Sequence, residues 1–305
     1  MLLRFTVLAS GSSGNASFIE ACGFGVLIDV GLGPRQLGWR MACLGLSWEQ
    51  VGAVVLTHTH GDHWNYRSLA HLRRKRIPLY CHAEHQESLH SYCAEFSRLR
   101  KENLVREYGP RLDWELAPSF RCRPLELVHD SGETFGFRFD APCNGNGRRV
   151  SVAYVADLGC WDAALVEELT DVDILAVEFN HDVDMECNSS RSPHLIARVL
   201  GDRGHLSNDQ AAALVREVLS KSRPGRLRHV VQLHLSRECN DPEVAVRSAR
   251  PILDAVNVAI QLHTASQDAP GPMLTLENLE EEPVVFATRA SLDSACQRWL
   301  PGWEV

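Results

Sequence analysis

The sequence predicts an α/β protein in which two sheets pack face to face and helices cover their outer sides. Three patterns carry this expectation. The first half is a series of short β-type runs separated by glycine turns. The second half alternates near-continuous apolar strands with helical stretches. Polar clusters rich in histidine begin where apolar strands end. Continuous apolar runs read as strands buried on both faces, which helices must then cover.

Taken in order, "LRFTVLAS", "ASFIEA" and "FGVLIDVG" are strands punctuated by "GSSGN" and "CGFG". The opening "MLLRFTVLASGSSG" has too short an apolar stretch for a signal peptide. Its alternation of Leu3, Phe5 and Val7 with Arg4 and Thr6 fits a strand. A helix is expected over "PRQLGWRMACLG", with proline at its start. The strand "VGAVVLTH", a helix over Tyr66–Arg74, the strand "PLYCH" and a helix from Ala83 follow. "DWEL", "FRCRPLELVHD" and "ETFGFRF" read as an antiparallel meander, and "PCNGNGRR" as a turn-rich insertion. Beyond it, "RVSVAYVADLG", "DVDILAVEFNHD" and "LRHVVQLHLS" are buried strands, separated by helices that include Asn208–Lys221 and Pro242–Leu253. The expected domain ends at residue 263. Residues 264–305, where "ASQDAPGPM" reads as a loop, are expected to form a C-terminal extension.

Hydrophobic residues make up 45% of the chain and charged residues 23%, the balance of a globular protein with a large core. No run of about 18 apolar residues occurs, so no membrane span is expected. The ten cysteines are scattered without a CxxC pair and read as reduced thiols, which points to the cytoplasm. A net charge of −8 argues against a long groove that holds nucleic acid by electrostatics alone. The basic runs "HLRRKRIP" and "RPGRLRH" read mainly as solvated helix faces.

The stretch "VVLTHTHGDHW" places three histidines and an aspartate straight after an apolar strand. Residues i and i+2 of an extended segment point the same way, so His58 and His60 can grip one ion. Gly61 is expected to let the chain turn and aim Asp62 and His63 at a second ion. Two ions sharing a water need about seven or eight ligands, and three further candidates end later strands. They are His129 in "ELVHDSG", Asp157 in "YVADLG" and His234 in "VVQLHLS". The expected arrangement is His58, His60 and His129 on one ion, Asp62, His63 and His234 on the other, and Asp157 between them. Imidazole with carboxylate suits Zn²⁺ or Mn²⁺. Such a pair would lower the pKa of a bridging water and clamp the oxygens of an attacked group. Asp29, at the end of "VLID", would either orient a ligand histidine or cap a turn.

With these residues in place, the chain resembles the metallo-β-lactamase superfamily, and most closely its YycJ/WalJ-type branch, which is exonuclease-like and related to ribonuclease Z. The resemblance rests on "LASGSSGNASFIE", "LIDVG", "THTHGDH", "HDSGETFGF", "VEFNHD", "GHLSN" and "HLSREC", and covers about residues 1–263. It implies a four-layer αββα sandwich with the metals along one edge, and a hydrolase cutting phosphodiesters at nucleic-acid ends, DNA ahead of RNA. It also implies that Glu178 and His205 form a carboxylate–imidazole pair serving the leaving oxygen, alongside Asp62. Departures from the branch are "VDMECNSSRSPH" after "NHD", Trp64 after the metal motif, and Cys239 in "HLSREC".

The "GSSGN" loop reads either as a tight hairpin or as an anion cradle in which Ser12, Ser13 and Asn15 contact the substrate. His181 reads equally as a substrate contact or as a structural histidine. His71, His82, His85, His90, His194, His229 and His263 lack such context. Two rival functions stay open. One is a thioester or lactone hydrolase of the glyoxalase II type, with the tail after Thr264 holding a thiol carrier. The other is a metal-dependent sensor without turnover. Oligomeric state is open as well.

Overall fold

The computed structural model describes residues 2–110, 112–142, 148–256 and 258–276. The first sheet is built from β1 (Leu3–Ala9), β2 (Ala16–Ala21), β3 (Phe24–Ile28), β4 (Val51–Val55), β5 (Leu79–Cys81) and β6 (Val105–Glu107). The second contains β7 (Trp114–Ala117), β8 (Phe120–Leu127), β9 (Thr134–Pro142), β10 (Arg149–Val155), β11 (Ile174–Glu178), β12 (His229–Leu233) and β13 (Gln261–Thr264). A last strand, β14 (Leu274–Leu276), returns to the first sheet. The orders are β14-β1-β2-β3-β4-β5-β6 and β13-β12-β11-β10-β9-β8-β7. Each sheet is antiparallel at one side and parallel at the other. The expected meander is β7–β8–β9, and β10 continues it.

Period-two alternation sorts the side chains between layers. Phe5, Val7, Ile19 and Ile28 of the first sheet meet Phe135, Phe137, Val152 and Tyr154 of the second in one inter-sheet core. Leu8, Phe18, Leu27 and Val54 point the other way, against the first group of helices. That group is α1 (Pro34–Ala42), α2 (Tyr66–Lys75), α3 (Ala83–Tyr92) and α4 (Ala94–Lys101). On the far side, α5 (Ala163–Leu169), α8 (Asn208–Lys221) and α9 (Pro242–Asp254) cover Ala153, Val155, Leu175 and Val177. The result is the expected αββα sandwich. Two further helices, α6 (Val183–Cys187) and α7 (Pro193–Leu200), lie between β11 and α8 in the chain.

The expected boundary at residue 263 falls inside β13. Thr264 pairs with Gln232, and β14 adds to β1 with Leu276 opposite Leu3 and Leu274 opposite Phe5. The two leucines bury themselves and Thr275 faces out, a three-residue alternation too short to stand out behind "DAPGP". Residues 277–305 of the expected extension, and most of the "PCNGNGRR" insertion, lie outside the described residues. Among the described residues no helix is long and apolar enough to cross a membrane, and no disulfide joins the cysteines.

Candidate metal centre and cleft

Six strand ends converge on one edge of the sandwich. Asp29 follows β3, Thr57, His58 and His60 follow β4, and His129 follows β8. Asp157 follows β10, Asn180 follows β11 and His234 follows β12. Ligand sites of α/β sheets sit at such carboxyl ends. Asp29, Asp157 and His234 adopt left-handed backbone conformations, with φ of 63°, 58° and 55°. Each costs a non-glycine residue on the order of 1–3 kcal/mol, so the surrounding structure must hold these turns. Bonds between the sheets do this: Phe135 N–H donates to the Thr57 carbonyl (3.0 Å) and His234 N–H to Ser10 Oγ (2.8 Å).

All seven expected ligands meet there. His58, His60 and His129 offer nitrogen atoms within 4.8 Å of one another, and so do the ligand atoms of Asp62, His63 and His234. Asp157 groups with His58 and His63, one from each set. Its Oδ2 lies 3.1 Å from His63 Nε2, and its Oδ1 lies 3.5 Å from His234 Nε2 and 3.9 Å from His129 Nε2.

Most of the histidines are held by the nitrogen that faces away from the cluster. His63 Nδ1 donates to Asp29 Oδ2 (2.7 Å), and Thr57 Oγ1 donates to the same oxygen (2.9 Å). With its one proton spent there, Thr57 Oγ1 accepts from His58 Nδ1 (3.0 Å). His129 Nδ1 donates to the Gly204 carbonyl (2.9 Å), and His234 Nδ1 reaches Glu178 Oε1 (3.2 Å). These bonds fix ring orientation and turn the remaining nitrogen inward. Asp29 therefore orients His63, the first of its two expected roles. His60 is reversed, with Nδ1 facing His129 Nε2 (3.3 Å) and Nε2 lying 3.6 Å from Asp130 Oδ1.

The electrostatics divide the cluster. Burial, reinforced by neighbouring histidines, pushes the His58 pKa well below its ordinary value. Burial works the same way on His63, but Asp157, Asp29 and Asp62 outweigh it and push its pKa well above the ordinary range. Three carboxylates thus demand positive charge at a place that offers unprotonated imidazoles alongside. His58 Nε2 is buried without a hydrogen-bond partner, and Asp157 Oδ2 has a histidine nitrogen 3.1 Å away, an arrangement that is costly unless something positive satisfies it. The cluster fits divalent-metal binding.

Glu178 is wholly buried and accepts from the backbone N–H of Leu158 (3.0 Å) and Leu206 (3.2 Å) through Oε2. Its Oε1 receives His205 Nδ1 at 2.8 Å. Burial favours the protonated acid, but His205 and His234 outweigh it and hold its pKa at about 2. Reciprocally, burial opposes charge on His205, and Glu178 overrides it to raise the histidine's pKa. The pair expected from the resemblance is therefore formed.

The metal motif rests on the "GSSGN" loop, and here the structure corrects the sequence reading. Asn15 is buried, donates from Nδ2 to Asp62 Oδ2 (3.0 Å) and accepts from Gly11 N–H through Oδ1 (2.9 Å). It holds Asp62 and does not line the cleft. The N–H groups of Gly11, Ser13, Gly14 and Asn15 are bonded to Asn15, Gln267, Gly11 and Asp62, so these four amides are committed within the protein. Ser12 alone of the three named side chains lines the cleft. His181 is 1% exposed, both its ring nitrogens lack partners, and it does not line the cleft.

Gly61 is outside the left-handed region, and a Cβ there would meet nothing within 4 Å, so the turn does not require glycine. It is closed instead by His63 N–H donating to the His60 carbonyl (3.0 Å). The indispensable glycine is Gly31, where a Cβ would lie 1.8 Å from the Asp62 carbonyl oxygen. Gly31→Ala is expected to cost about 3 kcal/mol, while Gly61→Ala stays within about 0.5 kcal/mol. Urea unfolding of the two variants checks this.

The cleft beside the cluster has a volume of about 330 Å³. His60, Asp62, Asp157, His205 and His234 line one wall, and Arg191, Leu195, Arg198 and Val199 another. The second wall comes from α7 and the segment before it, "VDMECNSSRSPH" and its continuation. Sequence reasoning missed Asp130, Arg191 and Arg198. Asp130 follows a ligand histidine directly, and that adjacency was its only signal.

Comparison with known proteins agrees with this geometry. A family model described as a β-lactamase superfamily domain matches residues 25–225. Exodeoxyribonuclease YycJ of Bacillus anthracis is 26% identical over 276 residues, covering 88% of this chain and 98% of that protein. Exodeoxyribonuclease WalJ of Streptococcus pneumoniae is 27% identical over 247 residues, covering 79% and 85%. The crystal structure of the short form of human tRNase Z superposes with a TM-score of 0.57 at 16% identity, covering 88% of this chain and 98% of that one. The chain belongs to the β-lactamase superfamily and is a hydrolase of the metallo-β-lactamase fold.

Proposed function

We propose that the protein is a cytoplasmic, metal-dependent phosphodiesterase that cuts nucleic acid at its ends, DNA ahead of RNA. The observation that carries this reading is the Glu178–His205 pair, 2.8 Å apart, with His205 on the cleft wall beside the seven-residue cluster. The names of the exodeoxyribonuclease relatives support it. His58, His60 and His129 would hold one ion, Asp62, His63 and His234 a second, and Asp157 would lie between them. Zn²⁺ and Mn²⁺ both suit this mixture of imidazole and carboxylate. When bound, two such ions would lower the pKa of a shared water and neutralise charge on the attacked phosphoryl oxygens.

The chain's own residues do the rest. Glu178 keeps His205 protonated through Nδ1, leaving Nε2 to donate toward a departing oxygen. Asn15 fixes Asp62, Asp29 fixes His63, and Ser12 is placed to touch the substrate at the cleft rim. The thioester reading depended on a carrier-binding tail after Thr264. Residues 264–276 belong to the two sheets, the rest of that tail lies outside the described residues, and no observation favours that reading.

An assay with Mn²⁺ or Zn²⁺ on end-labelled single- and double-stranded DNA and RNA, with a chelated control, tests the proposal. Metal-dependent shortening from an end is expected, and no cleavage of any polymer would refute it. His205→Gln separates the chemistry further. Its rate on DNA, whose alkoxide leaving group needs a proton, should drop about 10²- to 10⁴-fold. Bis(p-nitrophenyl) phosphate, whose leaving group is a stable anion, should lose far less. Equal losses on both substrates would mean that His205 only supports the centre.

A further inference from the structure

Arg198 and Arg191 both line the cleft, but they are used differently. Arg191 spends all three nitrogens inside the protein. Nε donates to Glu238, Nη1 to Glu186, and Nη2 to Ser236 Oγ. Its side chain is 18% exposed, and the buried Glu186 beneath it neutralises its charge. Arg198 is the opposite case. Its side chain is 50% exposed, and its Nε donates to Asp130 Oδ2. Among the described residues no acceptor is bonded to its two terminal nitrogens.

Asp130 ties this arginine to the cluster. It follows His129 in the chain, and its Oδ1 lies 3.5 Å from His129 Nε2 and 3.6 Å from His60 Nε2. One carboxylate therefore separates the guanidinium from the ligand nitrogens. An arginine held by its Nε presents its Nη edge as a planar fork, the shape that grips phosphate oxygens. Asp62, Asp130 and Asp157 line the same cleft and repel an anion wherever no cation offsets them. With Arg191 neutralised and His205 committed to the departing oxygen, Arg198 is the cationic side chain of the lining left for a second phosphate.

We propose that Arg198, oriented by Asp130, binds a second phosphate of the substrate, the one next to the phosphodiester being cut. This inference rests on the phosphodiesterase reading and narrows it. The substrate is a strand with at least two consecutive phosphates, and an isolated diester is a poor one. It also accounts for a net charge of −8 in a nucleic-acid enzyme. Grip on one or two phosphates beside the cations needs no basic surface.

The test compares the intact protein with Arg198→Ala and Arg198→Lys on two substrates. One is a single-stranded DNA oligonucleotide and the other is bis(p-nitrophenyl) phosphate, which has one phosphate. In Arg198→Ala the ratio of kcat/KM, oligonucleotide over diester, should fall about ten- to hundredfold, carried mainly by KM. Arg198→Lys should recover part of that ratio, because it keeps the charge and loses the fork. The slope of log KM for the oligonucleotide against log salt should weaken by about one unit in Arg198→Ala. Because each ratio is taken within one variant, partial unfolding cancels. An unchanged ratio or an unchanged salt slope overturns the proposal, as does an equal loss on both substrates. If the intact protein cleaves only the diester, metal-dependent phosphodiester chemistry stands, while the nucleic-acid substrate and the second-phosphate site are both lost. If it cleaves neither, the phosphodiesterase reading fails first.

Discussion

Asp157→Ala is expected to lose at least about a thousandfold in hydrolysis of both DNA and bis(p-nitrophenyl) phosphate. The carboxylate is 2% exposed and touches one nitrogen or more from each half of the cluster. Its removal leaves His63, beside the remaining carboxylates, without its strongest partner and gives the two halves nothing to share. Asp157→Asn is the sharper variant, since it keeps the volume and the left-handed turn, which asparagine tolerates well. Elemental analysis of the purified protein should show metal content falling along with the rate. Full activity in either variant would remove the basis of the proposed chemistry.

Chelation should produce the second large effect, and on stability as well as turnover. An ion that binds only the folded chain stabilises it by about 4 kcal/mol when present at a thousandfold its Kd. Two ions in one cluster double that figure. For a chain of this size each kcal/mol moves Tm by roughly 2–4 °C, so the apo protein should melt at least about 10 °C lower. The physical source is visible in the structure. Asp29, Asp62, Asp157 and Glu178 crowd one edge around the buried histidines, of which His58 Nε2 has no partner. Calorimetry before and after chelation and readdition of Mn²⁺ or Zn²⁺ measures the shift. Equal melting points would contradict the cluster's reading as a metal centre.

The fold was legible where its signal is local. Strand runs such as "RVSVAYV" and "DILAVE" are apolar on both faces, and a parallel strand between helices has that composition. The candidate ligands were legible for the same reason. His129, Asp157 and His234 are the first polar residues after apolar strands, and strand ends are where such a fold collects them. What escaped depends on contacts distant in sequence. Asn15 looks like a donor on a surface loop until Asp62 is seen bonded to it. Gly61 draws attention because it sits in the motif, yet Gly31, thirty positions earlier, is the glycine that the motif's backbone presses against. Arg198 carries no pattern at all. Its meaning comes from Asp130, which follows β8 and lies 68 residues earlier in the chain.

The return of β14 to β1 has a consequence for how the protein is made. Leu3 leaves the ribosome 273 residues ahead of its partner Leu276. At about 10 residues per second, the outer margin of the first sheet stays unpaired for roughly half a minute. An exposed margin of that kind invites other chains to pair with it, so the nascent protein is most vulnerable to self-association just before its final described strand emerges.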